Sequence, residues 1–138
     1  MSAFTRREIE YLENSLLGRL ATVGRDGTPH LAPVGFGYNA ALDTIEIAGW
    51  NMAASKKFRD VARTGRAAFV ADDLASTDPW RPRGVEIRGA AEAVEGARPL
   101  IRIHPERIVA WGLDTGGLGR NSRSVEAATI RQARGEAG

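Results

Sequence analysis

Gly18-Arg19-Leu20-Ala21-Thr22-Val23-Gly24-Arg25-Asp26-Gly27-Thr28-Pro29-His30-Leu31-Ala32-Pro33-Val34-Gly35-Phe36-Gly37-Tyr38 reads as two strands around a tight turn. Gly18 to Val23 is a short apolar run, and Asp26-Gly27 is a strong hairpin signal. The return strand, Thr28 to Tyr38, carries Pro29, Pro33, Gly35 and Gly37. Those residues weaken regular pairing and predict a bent or edge strand that something approaches closely. Outward from this hairpin, further strands are expected at 44–50, 67–71 and 83–94, with Gly89 at a bulge or corner. Residues 100–103 and 107–113 complete the set, joined or interrupted at His104-Pro105. Asp72 to Pro82 reads as a polar loop. Six or seven mostly antiparallel strands with few helices predict a mainly β fold, a small barrel with flanking helices.

Two helices are expected. Thr5 to Leu16 has Thr5 as cap, Glu8 completing a capping box, and Ile9, Leu12 and Leu16 as its apolar stripe. The second follows the 44–50 strand: Ser55-Lys56-Lys57-Phe58-Arg59-Asp60-Val61-Ala62-Arg63-Thr64-Gly65-Arg66. Ala54, Phe58, Val61 and Ala62 keep a helical period, and Ser55 is the natural N-cap of a basic helix over about 55–64. Lys56 and Lys57 then fall in its first turn, where cations oppose the helix dipole. An anion at that end reverses the sign of the effect, because free N–H groups and ammonium groups converge on it. A solvated basic face is the alternative reading.

Composition narrows the function classes. The 138 residues suit one domain, over 1–114, and residues 115–138, rich in Gly, Ser and Arg, read as a flexible tail. The net charge of +2 resides in that tail, since residues 1–114 carry 15 basic and 15 acidic side chains. A neutral body with a basic run at 56–66 favours a local anion pocket over a nucleic-acid surface. No apolar run approaches membrane-spanning length. Absence of cysteine excludes disulfides and thiolate metal sites and fits a cytoplasmic setting. His30 and His104 stand apart without further ligands, so no metal site is expected. Gly116-Gly117-Leu118-Gly119 lacks a surrounding strand–turn–helix unit, and neither a Walker motif nor a nucleophile elbow occurs. No catalytic residue is assignable. An enzyme of this kind leaves the hard chemistry to a cofactor.

The ordered set Leu20-Ala21-Thr22-Val23, Asp26-Gly27, Pro29-His30-Leu31-Ala32-Pro33-Val34 and Lys57-Phe58-Arg59-Asp60-Val61 resembles the pyridoxamine 5′-phosphate oxidase-like split β-barrel superfamily. Arg83-Gly84-Val85-Glu86-Ile87-Arg88-Gly89 and Ile101 to Leu113 are similar to its actinobacterial branch that uses the 5-deazaflavin coenzyme F-420 instead of FMN. The resemblance covers roughly residues 5–114. It implies a split barrel of the FMN-binding-protein type and a homodimer with the cofactor in a groove between subunits. It also implies that Lys57 contacts the cofactor phosphate, with Ser55, Lys56 and Arg59 nearby. The same cations would suit the acidic tail of F-420. The backbone of Ala32, Pro33, Val34 and Gly35, and of Ile47, Ala48 and Gly49, would line the ring. Gly35, Gly37 and Gly49 then admit a flat ring, or else relieve a bent strand.

Trp50, Trp80 and Arg81 are the substrate-pocket residues this resemblance suggests, with Arg83 as a further cation and Trp111 in the core or at the dimer interface. The expected activity is a deazaflavin-dependent reductase acting on an activated C=C or similar bond of a conjugated small molecule. An FMN-binding oxidoreductase and a non-catalytic cofactor, haem or pigment carrier are the alternatives. Oxidation of pyridoxamine phosphate is not expected, because the basic C-terminal extension that recognises that substrate is missing.

Overall fold

The computed structural model describes residues 1–113 and 119–125. Its two α-helices are α1 (Arg6–Glu13) and α2 (Lys56–Thr64), with a 3-10 turn at Met52–Ala54. The strands are β1 (Leu17–Val23), β2 (Pro29–Gly35), β3 (Gly37–Asn39), β4 (Thr44–Ile47), β5 (Arg66–Thr77), β6 (Trp80–Val94), β7 (Leu100–Trp111) and β8 (Arg120–Ser124). They form one antiparallel sheet in the order β2-β1-β5-β6-β7-β4-β3, with β8 also on β7. The two ends of that path are joined covalently, since Phe36 alone separates β2 from β3. The sheet therefore curls back on itself as a split barrel, and the Phe36 ring packs against Phe69 at 4.7 Å between centroids. Ile45, Ile47, Ile101 and Ile103, from the paired β4 and β7, are fully buried inside it. Each contributes about 1.5–3 kcal/mol by leaving water.

Several expectations hold in detail. Gly27 N donates to Gly24 O at 2.9 Å and has φ 86°, the left-handed position the Asp-Gly turn requires. Thr5 and Glu8 form the capping box of α1. Ser55 Oγ accepts from Phe58 N, and Gly65 closes α2 at φ 68°. At Gly89 the β6–β7 register slips, leaving Glu106 unopposed. A Cβ at Gly89 would lie 1.9 Å from His104 O, so only glycine fits.

Other expectations are corrected. There are eight strands among the described residues, not six or seven, because 28–38 divides at Phe36 and a further strand forms beyond residue 114. Strand 44–50 ends at Ile47. The 72–82 loop is the end of a long β5–β6 hairpin, held where Asp73 meets Arg83 across the ladder at 2.7 and 2.9 Å. His104-Pro105 does not break β7; the bulge beside Gly89 absorbs the proline. Helix α1 stops at Glu13, and Leu16, expected on its apolar stripe, is exposed. The flexible tail is corrected in part: Arg120–Ser124 pairs with Arg107–Trp111. Arg123 from β8 also grips buried Glu8 with two hydrogen bonds, at 2.5 and 2.9 Å. The rest of the expected tail lies outside the described residues.

Candidate functional site

Helix α2 presents its faces unequally. Phe58 and Val61 enter the core, while Lys56, Arg59, Asp60 and Arg63 share the opposite side, one helical turn apart. With Arg25, Asp26, Thr28 and His30 of the β1–β2 hairpin they line a cleft of about 480 Å³. Arg59 donates to Ala54 O at 2.9 Å, and Arg63 donates to Val23 O and, at 3.5 Å, to Asp60. Arg25, Lys56 and Lys57 have no hydrogen-bond or ion-pair partner among the described residues. Lys57 does not line this cleft; it is half-buried on the flank of α2 beside the Val61 row. The sequence therefore grouped Lys56, Lys57 and Arg59 correctly by element, but the helix divides them between two sides.

Asp60 is the residue that sequence reasoning missed. It is 2% exposed and accepts from Thr22 Oγ1 at 2.9 Å, with His30 Nδ1 at 2.7 Å. Burial works to raise its pKa, but the hydrogen bonds from His30 and Thr22 and the charges of His30 and Arg63 outweigh it, leaving it below the ordinary value. An acid four residues after a lysine on a basic helix carries no local sequence signal of burial. Its burial arises from β1 and β2 packing against that face. His30 is thus tied through Nδ1 to Asp60, and its ring lines the cleft beside the basic residues of α2.

A second region lies where the sheet closes. Gly37 pairs with Glu46, so the chain through Gly35 and Phe36 passes the chain leaving Ile47 at the same corner. Ala32 is half-buried, Pro33 and Gly35 are exposed and Val34 is buried on β2; Ile47 is buried and Ala48 and Gly49 are exposed. The first segment thus ends, at Gly35, near the corner from which the second departs at Ile47. A Cβ built on Gly35 or Gly37 would meet nothing within 4 Å, and one on Gly49 only Met52 Cε at 3.9 Å. No atom of the described residues requires glycine there, in contrast to Gly89. Among the described residues, the space beside this bare backbone is open.

The three residues expected to wall a substrate pocket are not brought together within one chain. Trp50 is 94% exposed just after β4, whose Ile47 pairs with Ile101 at the start of β7. Trp80, 64% exposed, and Arg81 begin β6 at the hairpin tip, beyond the pairing of Gly84 with Trp111 at the other end of β7. Ten residues of strand separate those two ends, roughly 30 Å. Arg83 is held by Asp73 and stacks 5.5 Å over the Tyr11 ring, so it is not a free cation. Trp111 lies half-buried on the outer sheet face, where it lines a shallow groove with Arg19, Ala21, Leu31, Val70 and Glu86. Among the described residues no group of His, Asp and Glu has metal-site geometry, and no helix is long and apolar enough to cross a membrane.

The sequence model of pyridoxamine 5′-phosphate oxidase matches residues 5–135. The chain belongs to that family. Within the pyridoxamine 5′-phosphate oxidase family, a similar curated protein is the 5a,11a-dehydrotetracycline/5a,11a-dehydrooxytetracycline reductase of Streptomyces rimosus. It is 48% identical over 120 residues, covering 80% of this chain and 84% of the relative. Among solved structures, a conserved protein of Mycobacterium tuberculosis superimposes with a TM-score of 0.69 at 25% identity, covering 93% of this chain and 96% of its own. An F-420 reductase matches with a TM-score of 0.59 at 20% identity over 76% of this chain and 98% of its own, a likeness of fold.

Proposed function

We propose that this member of the pyridoxamine 5′-phosphate oxidase family is an F-420-dependent reductase that delivers hydride to an activated C=C bond of a conjugated, polycyclic small molecule. The observation that carries the reading is the 48% identity to a dehydrotetracycline reductase over most of both chains. That identity supports an oxidoreductase on this fold, and the choice of cofactor rests on the residues that would hold it. Coenzyme F-420, when bound, supplies a hydride equivalent from its reduced ring.

The residues present fit such a group. The open backbone at Gly35, Gly37 and Gly49 gives a flat ring a surface with no side chain in the way. Lys56 and Lys57, on either side of the α2 N-terminus and without a partner among the described residues, would supply charge for a phosphate, with the Ser55 cap and Arg59 beside them. Ala32 to Gly35 and Ile47 to Gly49 would hold the ring in orientation, which is most of what the protein must contribute to a hydride transfer. Trp50 and the Trp80-Arg81 hairpin tip could wall one pocket only across two copies, which supports a homodimer with the site at its interface. We place the enzyme in the cytoplasm on its lack of cysteine.

Fluorescence titration with F-420 and, separately, with FMN tests the cofactor assignment. Tight F-420 binding with weak FMN binding is expected. Tight FMN binding with weak F-420 binding would replace the deazaflavin with a flavin, and binding of neither would remove the cofactor assignment.

A further inference from the structure

The β5–β6 hairpin is longer than the barrel that carries it. Strand β1 follows β5 as far as Val70, and β7 follows β6 as far as Gly84. Beyond those rungs, from the Asp73–Arg83 pair to the Thr77–Trp80 pair, the two strands have only each other among the described residues. The β7 chain turns aside at the same level: Gly112 has φ 68°, and a Cβ there would lie 2.2 Å from Pro82 O. The tip bearing Trp80 and Arg81 therefore stands about 10–13 Å of strand beyond the Asp73–Arg83 rung. At that rung α1 reaches across. Asp73 and Arg83 continue the inward-facing rows of buried Ala71 and Val85, but past the core they meet Tyr11 instead of apolar side chains. Tyr11 Oη donates to Asp73 Oδ1 at 2.8 Å and lies 3.4 Å from Arg83 O. Arg83 donates twice to Asp73, at 2.7 and 2.9 Å, and its guanidinium stacks 5.5 Å over the Tyr11 ring. Those Arg83 hydrogen bonds hold the Asp73 carboxyl below its ordinary value, so it stays an acceptor for both neighbours. Both members of the ion pair are nearly half exposed, and pairs so open add little to global stability. What the three side chains fix is a direction.

We propose that Tyr11 is a positioning residue: with Asp73 and Arg83 it sets the angle at which the hairpin leaves the barrel, and so where Trp80 and Arg81 stand at the acceptor site. The inference rests on the reading above, in which that tip walls the pocket of a second copy. A tilt of about 10° at the rung carries the tip by about 2 Å over the length of strand beyond it. A misplacement of about 1 Å in a positioning group already costs up to about a hundredfold in rate. Tyr11 and its two partners are not among the residues proposed to hold the cofactor. Loosening the rung therefore acts on the acceptor and leaves F-420 binding as it was.

Two variants of the full chain test it. Tyr11→Phe removes the hydroxyl and leaves the ring under Arg83, while Arg83→Lys keeps the charge and removes the planar fork. In both, hydrogen–deuterium exchange of the backbone amides between 74 and 81 should quicken by about tenfold, with residues 67–71 inside the barrel unchanged. Tyr38→Phe removes a like hydrogen bond, to Asp43, elsewhere in the chain and should leave exchange at the tip unaltered. With reduced F-420 and a 5a,11a-dehydrotetracycline, kcat/KM for the acceptor should fall about tenfold in Tyr11→Phe and Arg83→Lys, mostly through KM. The F-420 dissociation constant should stay within about twofold of wild type. Unchanged exchange at the tip, a quickening shared equally by residues 67–71, or an unaltered kcat/KM with a loosened tip would each overturn the proposal. A wild type that binds F-420 yet reduces no acceptor would count against the reductase reading instead, and the exchange pattern would still uphold or overturn the role of Tyr11.

Discussion

Asp60 shows how one side chain can join the scaffold to the site. Its carboxylate ties β1 through Thr22 and β2 through His30 to α2, the helix that carries the basic cluster. Asp60→Asn should destabilise the fold by about 1–3 kcal/mol in urea, the cost of weakening buried hydrogen bonds. The sign of its pH dependence follows from the depressed folded-state pKa. The contribution is complete above the unfolded carboxylate value of 3.8 and is lost as pH falls through the lower folded value. Wild type should therefore lose its advantage over Asp60→Asn on acidification below about pH 4; an advantage that persists unchanged into strong acid would contradict the assignment. Lys57 makes a different prediction. If it holds the cofactor phosphate, Lys57→Ala should weaken F-420 binding by about 1.5–3 kcal/mol with little change in melting temperature. Unchanged affinity would transfer the phosphate to the Lys56 side.

At the scale of elements, what was legible in the sequence was local. The Thr5–Glu8 capping box, the Ser55 cap, the Gly65 stop and the Asp26-Gly27 turn each depend on residues within four positions of one another. What was not legible was paid back across the sheet. Asp72, Asp73, Arg81 and Arg83 have the composition of a loop, and only pairing Asp73 with Arg83 makes them strand. Arg120–Ser124 reads as tail until β7 offers an unpaired edge beyond the short β4. Glycines divide the same way. Gly89→Ala should cost at least about 1–3 kcal/mol, because its Cβ meets the His104 carbonyl. Gly35→Ala should change stability by less than about 0.5 kcal/mol, since its Cβ meets nothing, yet weaken ring binding. Equal effects of the two on thermal melting would remove the distinction drawn between them.

For the whole molecule, the strand Arg120–Ser124 is part of the fold. Arg123 covers a 2%-exposed Glu8 and donates to Ala3 O at 2.7 Å, locking α1 over the end of the barrel. Ending the chain at residue 114 should therefore lower stability by about 3–5 kcal/mol, the cost of leaving a buried charge without its partner. Arg123→Ala should reproduce most of that loss, and a truncated chain as stable as the full one would contradict it. The barrel order, the bare backbone at its closing corner and the basic helix beside it are the features on which the proposed reading, a protein that positions a cofactor, rests. The most direct test of that account is anaerobic turnover of reduced F-420 with a 5a,11a-dehydrotetracycline as acceptor, followed by the absorbance of the reoxidised cofactor. The account predicts reoxidation that requires both protein and acceptor and yields the acceptor reduced at its C=C bond. Tight binding of reduced F-420 with no reoxidation, for this and other conjugated acceptors, would contradict it and leave a cofactor carrier.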